Sequence, residues 1–219
     1  MGTPRKLETV STAILLACAV VITGLLVKRE FAAPPDPTKP TVQKAWRKLA
    51  SSGQLVANDS GRVQLTIFSD FQCPFCRSFA PELDSLIAEY PGRLRVVFRH
   101  YPLERIHKDA RETAIASECA AAQGQFKAFH DVAFRNQDSL GLLPPVTLAA
   151  RAGVIDSGAF IRCLSSAAAD ARIREDISAG EAAGVTVTPT LIINQWQMKG
   201  AIALDTLRRL INQEFKRGS

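Results

Sequence analysis

Histidine and methionine are scarce, with three and two in 219 residues, and the histidines at 100, 107 and 130 do not cluster. That scarcity removes most metal chemistry. A zinc site built on Cys73 and Cys76 would need a second Cys or His pair at ligand spacing, and the sequence has none. No metal is therefore expected. Runs of one charge, internal repeats and low-complexity segments are missing as well. Lys and Arg outnumber Asp and Glu by 27 to 21, but they are scattered rather than striped between aromatics. Nucleic acid is not an expected partner, and a weak preference for anionic surfaces is the most this balance supports. Charged residues make up 22% and hydrophobic ones 47%, ordinary globular usage, so disorder is set aside for most of the length. The chain is long enough for one domain with a real core plus appendages.

What is present begins with an apolar run. Residues 9–27 carry no charge and are flanked by Arg5 and Lys6 before and by Lys28, Arg29 and Glu30 after. As a helix this run spans about 28 Å, close to the hydrocarbon thickness of a bilayer. Cleavage as a signal peptide needs small residues at −3 and −1. A cut after Ala33 puts Phe31 at −3, and a cut after Ala32 puts Glu30 there. Residues 1–33 are thus expected to be a short tail and one uncleaved transmembrane helix. Positive charge flanks both ends and a long folded domain follows, so charge does not set the orientation. Residues 34–41, with four prolines between Pro34 and Pro40, read as a stiff spacer of roughly 20 Å.

The folded part is organised around Cys73-Pro74-Phe75-Cys76. A strand from Val63 to Phe68 delivers Cys73 to a helix start, where Pro74 suits the first helical position because its missing N–H has no partner there. Unpaired N–H groups and the helix dipole favour a thiolate at Cys73, the expected nucleophile. Cys76 lies one turn in, with Phe75, Phe79 and Leu83 expected to face the core, and is expected to be the shielded resolving thiol. Cys119 and Cys163 stand far apart. In a reducing cytosol they would be inert thiols, and in an oxidising compartment they could form a structural disulfide.

Around the motif, a short amphipathic helix is expected over 42–50 with Trp46 and Leu49 on one face, then a strand over 54–57 and a turn at 58–61. The helix from the cysteines runs to Tyr90 and stops at Pro91-Gly92, and a second buried strand covers 94–98. Strand, helix and strand make a parallel crossover, so the fold class is α/β. Residues 106–183 read as helix throughout, with Phe126, Phe129 and Phe134 as core and the three histidines as structural. Strands resume at 190–193 and 197–199, and an amphipathic helix runs over 205–215. An all-helical insertion therefore interrupts the sheet.

Four separated motifs are then in place: residues 69–76 (Ser-Asp-Phe-Gln-Cys-Pro-Phe-Cys), 98–103 (Phe-Arg-His-Tyr-Pro-Leu), 124–131, with Gly-Gln-Phe and Phe-His-Asp, and 184–190 (Gly-Val-Thr-Val-Thr-Pro-Thr). Together they resemble the DsbA-like thiol:disulfide oxidoreductases of the thioredoxin superfamily, over about residues 42–219. The resemblance implies a thioredoxin fold with a helical insertion. It makes Thr188-Pro189 the cis-proline loop across the cysteines, with the Thr188 backbone offered to an incoming polypeptide as an added strand. It also places Cys119 and Cys163 where some relatives have an additional disulfide. Many relatives carry a buried acid six residues before the nucleophile, where this chain has Ile67, so water or another group is expected to serve Cys76. Phe75 stands where strong oxidants can have His, which leaves Cys73 dependent on the helix terminus.

The activity implied is disulfide formation in exported proteins by thiol–disulfide exchange, with the cysteine pair as the redox group and no bound cofactor. Substrates would be reduced cysteine-containing exported proteins. A quinone-linked membrane partner would reoxidise the pair, and the catalytic domain would lie on the periplasmic, extracytoplasmic side of the cell membrane. The alternative on the same fold is a disulfide reductase or isomerase kept reduced by a membrane electron donor. A soft-metal module using the two sulfurs is a more distant one.

Overall fold

In the computed structural model, residues 14–24, 39–57 and 59–217 are described here. The chain divides into two units, residues 1–36 and 37–219. In the first, residues 14–24 form helix α1, which carries Cys18. Among the described residues no helix is long and apolar enough to cross a membrane. The expected anchor reaches over 9–13 and 25–27, and the spacer over 34–38, all outside the described residues.

The second unit is built on a six-stranded sheet. Its strands are β1 (Thr41–Val42), β2 (Gln54–Ala57), β3 (Val63–Ser69), β4 (Leu94–His100), β5 (Thr190–Ile193) and β6 (Trp196–Lys199), in the spatial order β1-β6-β5-β3-β4-β2. β3 and β4 are parallel, in register from Val63 with Leu94 to Ser69 with His100, and every other pairing is antiparallel. Both strands are rich in β-branched and aromatic residues and buried on both faces, as central strands require. β5 and β6 form a hairpin at Asn194, which takes the left-handed conformation (φ 46°) that a two-residue turn demands.

Helix α2 (Trp46–Ala50) is shorter than expected, because Thr41 and Val42 pair with the edge of β6 instead of joining the helix. The same pairing brings Thr41, expected in the spacer, into the sheet. Trp46 and Leu49 do share a face, packed with Phe68, Val185 and Ile192. Helix α3 (Pro74–Glu89) crosses from β3 to β4 with its buried stripe at Cys76, Phe79, Leu83 and Leu86. Between β4 and β5 come α4 (Ala110–Ala121), α5 (Phe126–Arg135), α6 (Pro145–Arg151), α7 (Ser157–Leu164) and α8 (Ala167–Ala182), the helical insertion. Helix α9 (Leu204–Arg217) closes the fold, burying Leu207, Ile211 and Phe215 against the sheet face that carries Leu65, Ile67, Val96 and Leu191. Phe126, Phe129, Phe134 and Phe160 join Phe71, Phe98 and both motif cysteines in one apolar cluster. The active motif thus sits where sheet and helical insertion share a core.

Candidate active site

The loop that carries Cys73 is fixed before the cysteine is reached. Asp70, its side chain buried, accepts from the Gln72 N–H at 2.7 Å, the Leu103 N–H at 2.7 Å and His107 Nδ1 at 2.8 Å. Its backbone oxygen accepts the Cys73 N–H at 3.1 Å. Gln72 exchanges two bonds with Asp109, side chain to side chain at 3.0 Å and backbone N–H to side chain at 2.7 Å. The Phe71 ring stacks on Phe98 at 5.5 Å and tilts against Phe134 at 5.1 Å, which pins the segment from below. From the helical insertion, buried Gln137 donates to the Phe71 and Cys73 carbonyls at 2.7 and 3.0 Å. His107 and Phe134 take the structural and core roles expected of them, whereas Asp109 and Gln137 were not singled out from the sequence. The one available signal was Asp70, an Asx-turn residue just ahead of a helix start.

Gln137 gives a direct test. Gln137→Ala leaves the buried Phe71 carbonyl without that donor, a loss on the order of 1–3 kcal/mol. Urea unfolding of the variant should show that loss; a change under about 0.5 kcal/mol would mean that the clamp carries no load.

Cys73 is the N-cap of α3, with extended backbone, and Pro74 is the first helical residue. Cys73 is 4% exposed, and its sulfur lies 3.3 Å from the Thr188 carbonyl oxygen. The Thr188–Pro189 bond is cis, and the Thr188 carbonyl oxygen faces Cys73. The Thr188 hydroxyl is buried and has no hydrogen-bond partner among the described residues. The Cys73 thiol falls from an ordinary 9.0 to about 6. The largest cause is the interaction with the Cys76 side chain; burial opposes it, and the Thr188 side chain and the Cys76 and Phe75 backbone N–H groups add to the lowering. The backbone N–H groups of Phe75 and Cys76 at the head of α3 thus favour the thiolate, with the Cys76 thiol as the larger contributor. Cys76 is 2% exposed, and burial, then the interactions with Cys73, push its thiol well up.

Phe75 departs from the expectation that it faces the core. It is 59% exposed, because the buried stripe of α3 passes through Cys76 and leaves Phe75 about 100° around the helix. Cys119 on α4 and Cys163 on α7 are joined in a disulfide, their Cα atoms 5.6 Å apart. His100 Nε2 meets Glu118 Oε1 at 2.9 Å, and His130 is buried among Phe71, Phe98, Phe126 and Phe134.

Residues 53–213 match the thioredoxin family. The chain belongs to that family. Among solved structures, this thioredoxin-family chain is similar to a thioredoxin-like oxidoreductase from Silicibacter pomeroyi, 20% identical with a TM-score of 0.67 over 79% of this chain and 98% of the other. It is likewise similar to the thiol-disulfide exchange protein α-DsbA2 from Wolbachia pipientis, 18% identical with a TM-score of 0.66 over 77% and 91%. The thioredoxin fold is therefore of the DsbA-like kind. Among curated relatives, the Na(+)/H(+) antiporter NhaA 3 of Salinispora tropica is 31% identical over 153 residues, 70% of this chain and 23% of the antiporter. The thioredoxin-family chain thus spans about a quarter of the length of that relative.

Proposed function

We propose that this protein is a thiol:disulfide oxidoreductase that forms disulfides in exported proteins, with the Cys73–Cys76 pair as its redox group and no bound cofactor. The observation that carries this reading is the contrast between two sulfurs one helical turn apart, one lowered to about 6 and the other buried and raised. In the oxidised protein a substrate thiolate attacks Cys73, and Cys76 leaves and takes a proton. A second substrate thiolate then attacks the substrate sulfur of the mixed disulfide, forms the product disulfide and releases Cys73 as thiolate. A low pKa makes Cys73 a good leaving group in that step. At pH 7 the shift from 9.0 to about 6 favours the reduced pair by about 1.4 kcal/mol, which makes the disulfide more oxidising by about 30 mV.

The Thr188 backbone beside Cys73 suits an incoming peptide bound as an added strand. Phe75 and Val187, both substantially exposed, offer apolar surface on the two segments that meet at Cys73. The resemblance to a protein named for thiol-disulfide exchange supports the same chemistry. Sodium–proton exchange is named for the whole antiporter, of which the shared stretch is a minor part, and the reading here stays with the cysteines. We place the domain of residues 42–219 on the extracytoplasmic, periplasmic side of the cell membrane, held by a single span within 1–33. The Cys119–Cys163 bond supports that side, since an oxidising compartment sustains it. Partners are reduced exported proteins and a quinone-linked membrane reoxidant, with no nucleic acid.

The test is the reduction potential of Cys73–Cys76 in the full chain, equilibrated against glutathione. A value near or above roughly −180 mV is expected for a protein oxidant. One near roughly −270 mV would exchange this reading for a reductase fed by a membrane electron donor.

A further inference from the structure

Before Cys76 can attack a mixed disulfide at Cys73, its thiol must lose a proton, and its surroundings oppose that. Burial is the largest cause, followed by the interactions with Cys73. Ile67, on the sheet face towards α3, is apolar and supplies no base. The polar side chain beside Cys76 is Ser69, whose hydroxyl acts on the sulfur in favour of the thiolate. A hydroxyl passes a proton on without storing it.

Ser69 stands in parallel register with His100, so the two side chains are neighbours on one sheet face. His100 is 1% exposed. Its Nε2 lies 2.9 Å from Glu118 Oε1, while its Nδ1 is buried with no hydrogen-bond partner among the described residues. A carboxylate at Nε2 selects the tautomer with the proton on Nε2 and leaves the lone pair on Nδ1. Glu118 is suited to that role. Burial raises its pKa, but the bonds from His100 and Gln54 and the charges of His100 and Arg172 together hold it below the ordinary value. Gln54 Nε2 donates to the second Glu118 oxygen at 2.7 Å, and a surface cleft lined by Gln54, Glu118 and Arg172 reaches the far side of the pair. The other charged groups nearby are already engaged. Asp176 on α8 accepts the His100 backbone N–H at 2.9 Å and pairs with Arg99 at 3.2 Å, and Arg172 lies 3.9 Å from Glu118.

We propose that His100, backed by Glu118, takes up and returns the Cys76 proton through the Ser69 hydroxyl. The proposal rests on the exchange reading above. In the resolving step the Ser69 hydroxyl turns to the unpartnered His100 Nδ1, and Cys76 S–H gives its proton to Ser69 Oγ as Ser69 O–H gives its own to Nδ1. The Cys76 sulfur attacks Cys73, the Cys73–Cys76 bond forms, and the bond from Cys73 to the substrate sulfur breaks. The substrate leaves as thiolate with the electron pair, and the imidazolium is held by Glu118. In the reverse direction the same path returns the proton to Cys76 as it leaves.

The experiment separates two steps on the reduced protein mixed with glutathione disulfide under single-turnover conditions. Attack by Cys73 forms the mixed disulfide, and attack by Cys76 then releases the second glutathione. Ser69→Ala and Glu118→Gln should slow the second step at least about tenfold and change its pH profile between pH 5 and 8, with the first step altered less than about twofold. Nitrogen NMR of the wild-type protein, which needs no variant to fold, should show His100 as the Nε2–H tautomer. Unchanged rate and pH profile of the second step in Ser69→Ala, or an Nδ1–H tautomer, would overturn the relay. Failure of the first step in the wild type would instead remove the exchange reading, and the relay with it.

Discussion

Cys73→Ser should abolish thiol–disulfide exchange and remove the thiolate absorbance that titrates near pH 6, while Cys76→Ser should keep the first attack and stall at the mixed disulfide. The asymmetry follows from burial and hydrogen bonding. Only Cys73 is held as thiolate at neutral pH, by the Cys76 and Thr188 side chains together with the backbone N–H groups at the head of α3. The same shift sets a pH dependence in the reduced protein. Cys73 has a depressed pKa in the fold, about 6 against an ordinary 9.0, so its stabilisation is complete above pH 9 and is lost as pH falls through 6. Between pH 8 and pH 5.5 the reduced protein should lose about 2 to 3 kcal/mol from this group. Cys76, raised instead, contributes nothing below the pH at which an ordinary thiol ionises. Denaturant unfolding of reduced wild type and Cys73→Ser across that range checks the sign. A variant that loses as much stability as the wild type would assign the slope to other groups and leave Cys73 an ordinary thiol.

Much of this arrangement is legible in the chain because it is local. The strand before Cys73, Pro74 at the first helical position and the stop at Pro91-Gly92 depend on neighbours within a few residues. The helical insertion shows as nearly eighty residues of helical pattern between strands. Phe75 was misplaced for a local reason too. Apolar residues on a short helix can be assigned to the wrong side of a stripe by one position, and only the packing of Cys76, Phe79 and Leu83 shows which line is buried. The anchors of the active loop were out of reach for a different reason. Asp70 meets Leu103 and His107, Gln72 meets Asp109, and Gln137 reaches Phe71 from 66 residues away. Each is a polar residue with no periodicity to mark it. The Ser69–His100 adjacency depends on the parallel register of two strands, which a hydrophobic pattern does not specify when both faces are buried.

Removing the Cys119–Cys163 disulfide should cost about 4 kcal/mol, the loop-closure value for a bridge over 44 residues. The bond joins α4 to α7, and α4 is the helix on which the rest of the insertion packs, with Ala116, Cys119 and Ala120 in the core shared with Phe126 and Phe160. One residue before Cys119, Glu118 holds His100, so loosening α4 also disturbs the polar pair beneath the active motif. The double variant Cys119→Ala/Cys163→Ala avoids burying a new polar group. Its urea midpoint should fall well below that of the wild type, and its resolving step should slow more than its first attack. A loss under about 1 kcal/mol would mean that packing alone holds the insertion. In that case the bridge would no longer argue for an oxidising compartment, because a protein indifferent to the bond would work equally well where thiols stay reduced.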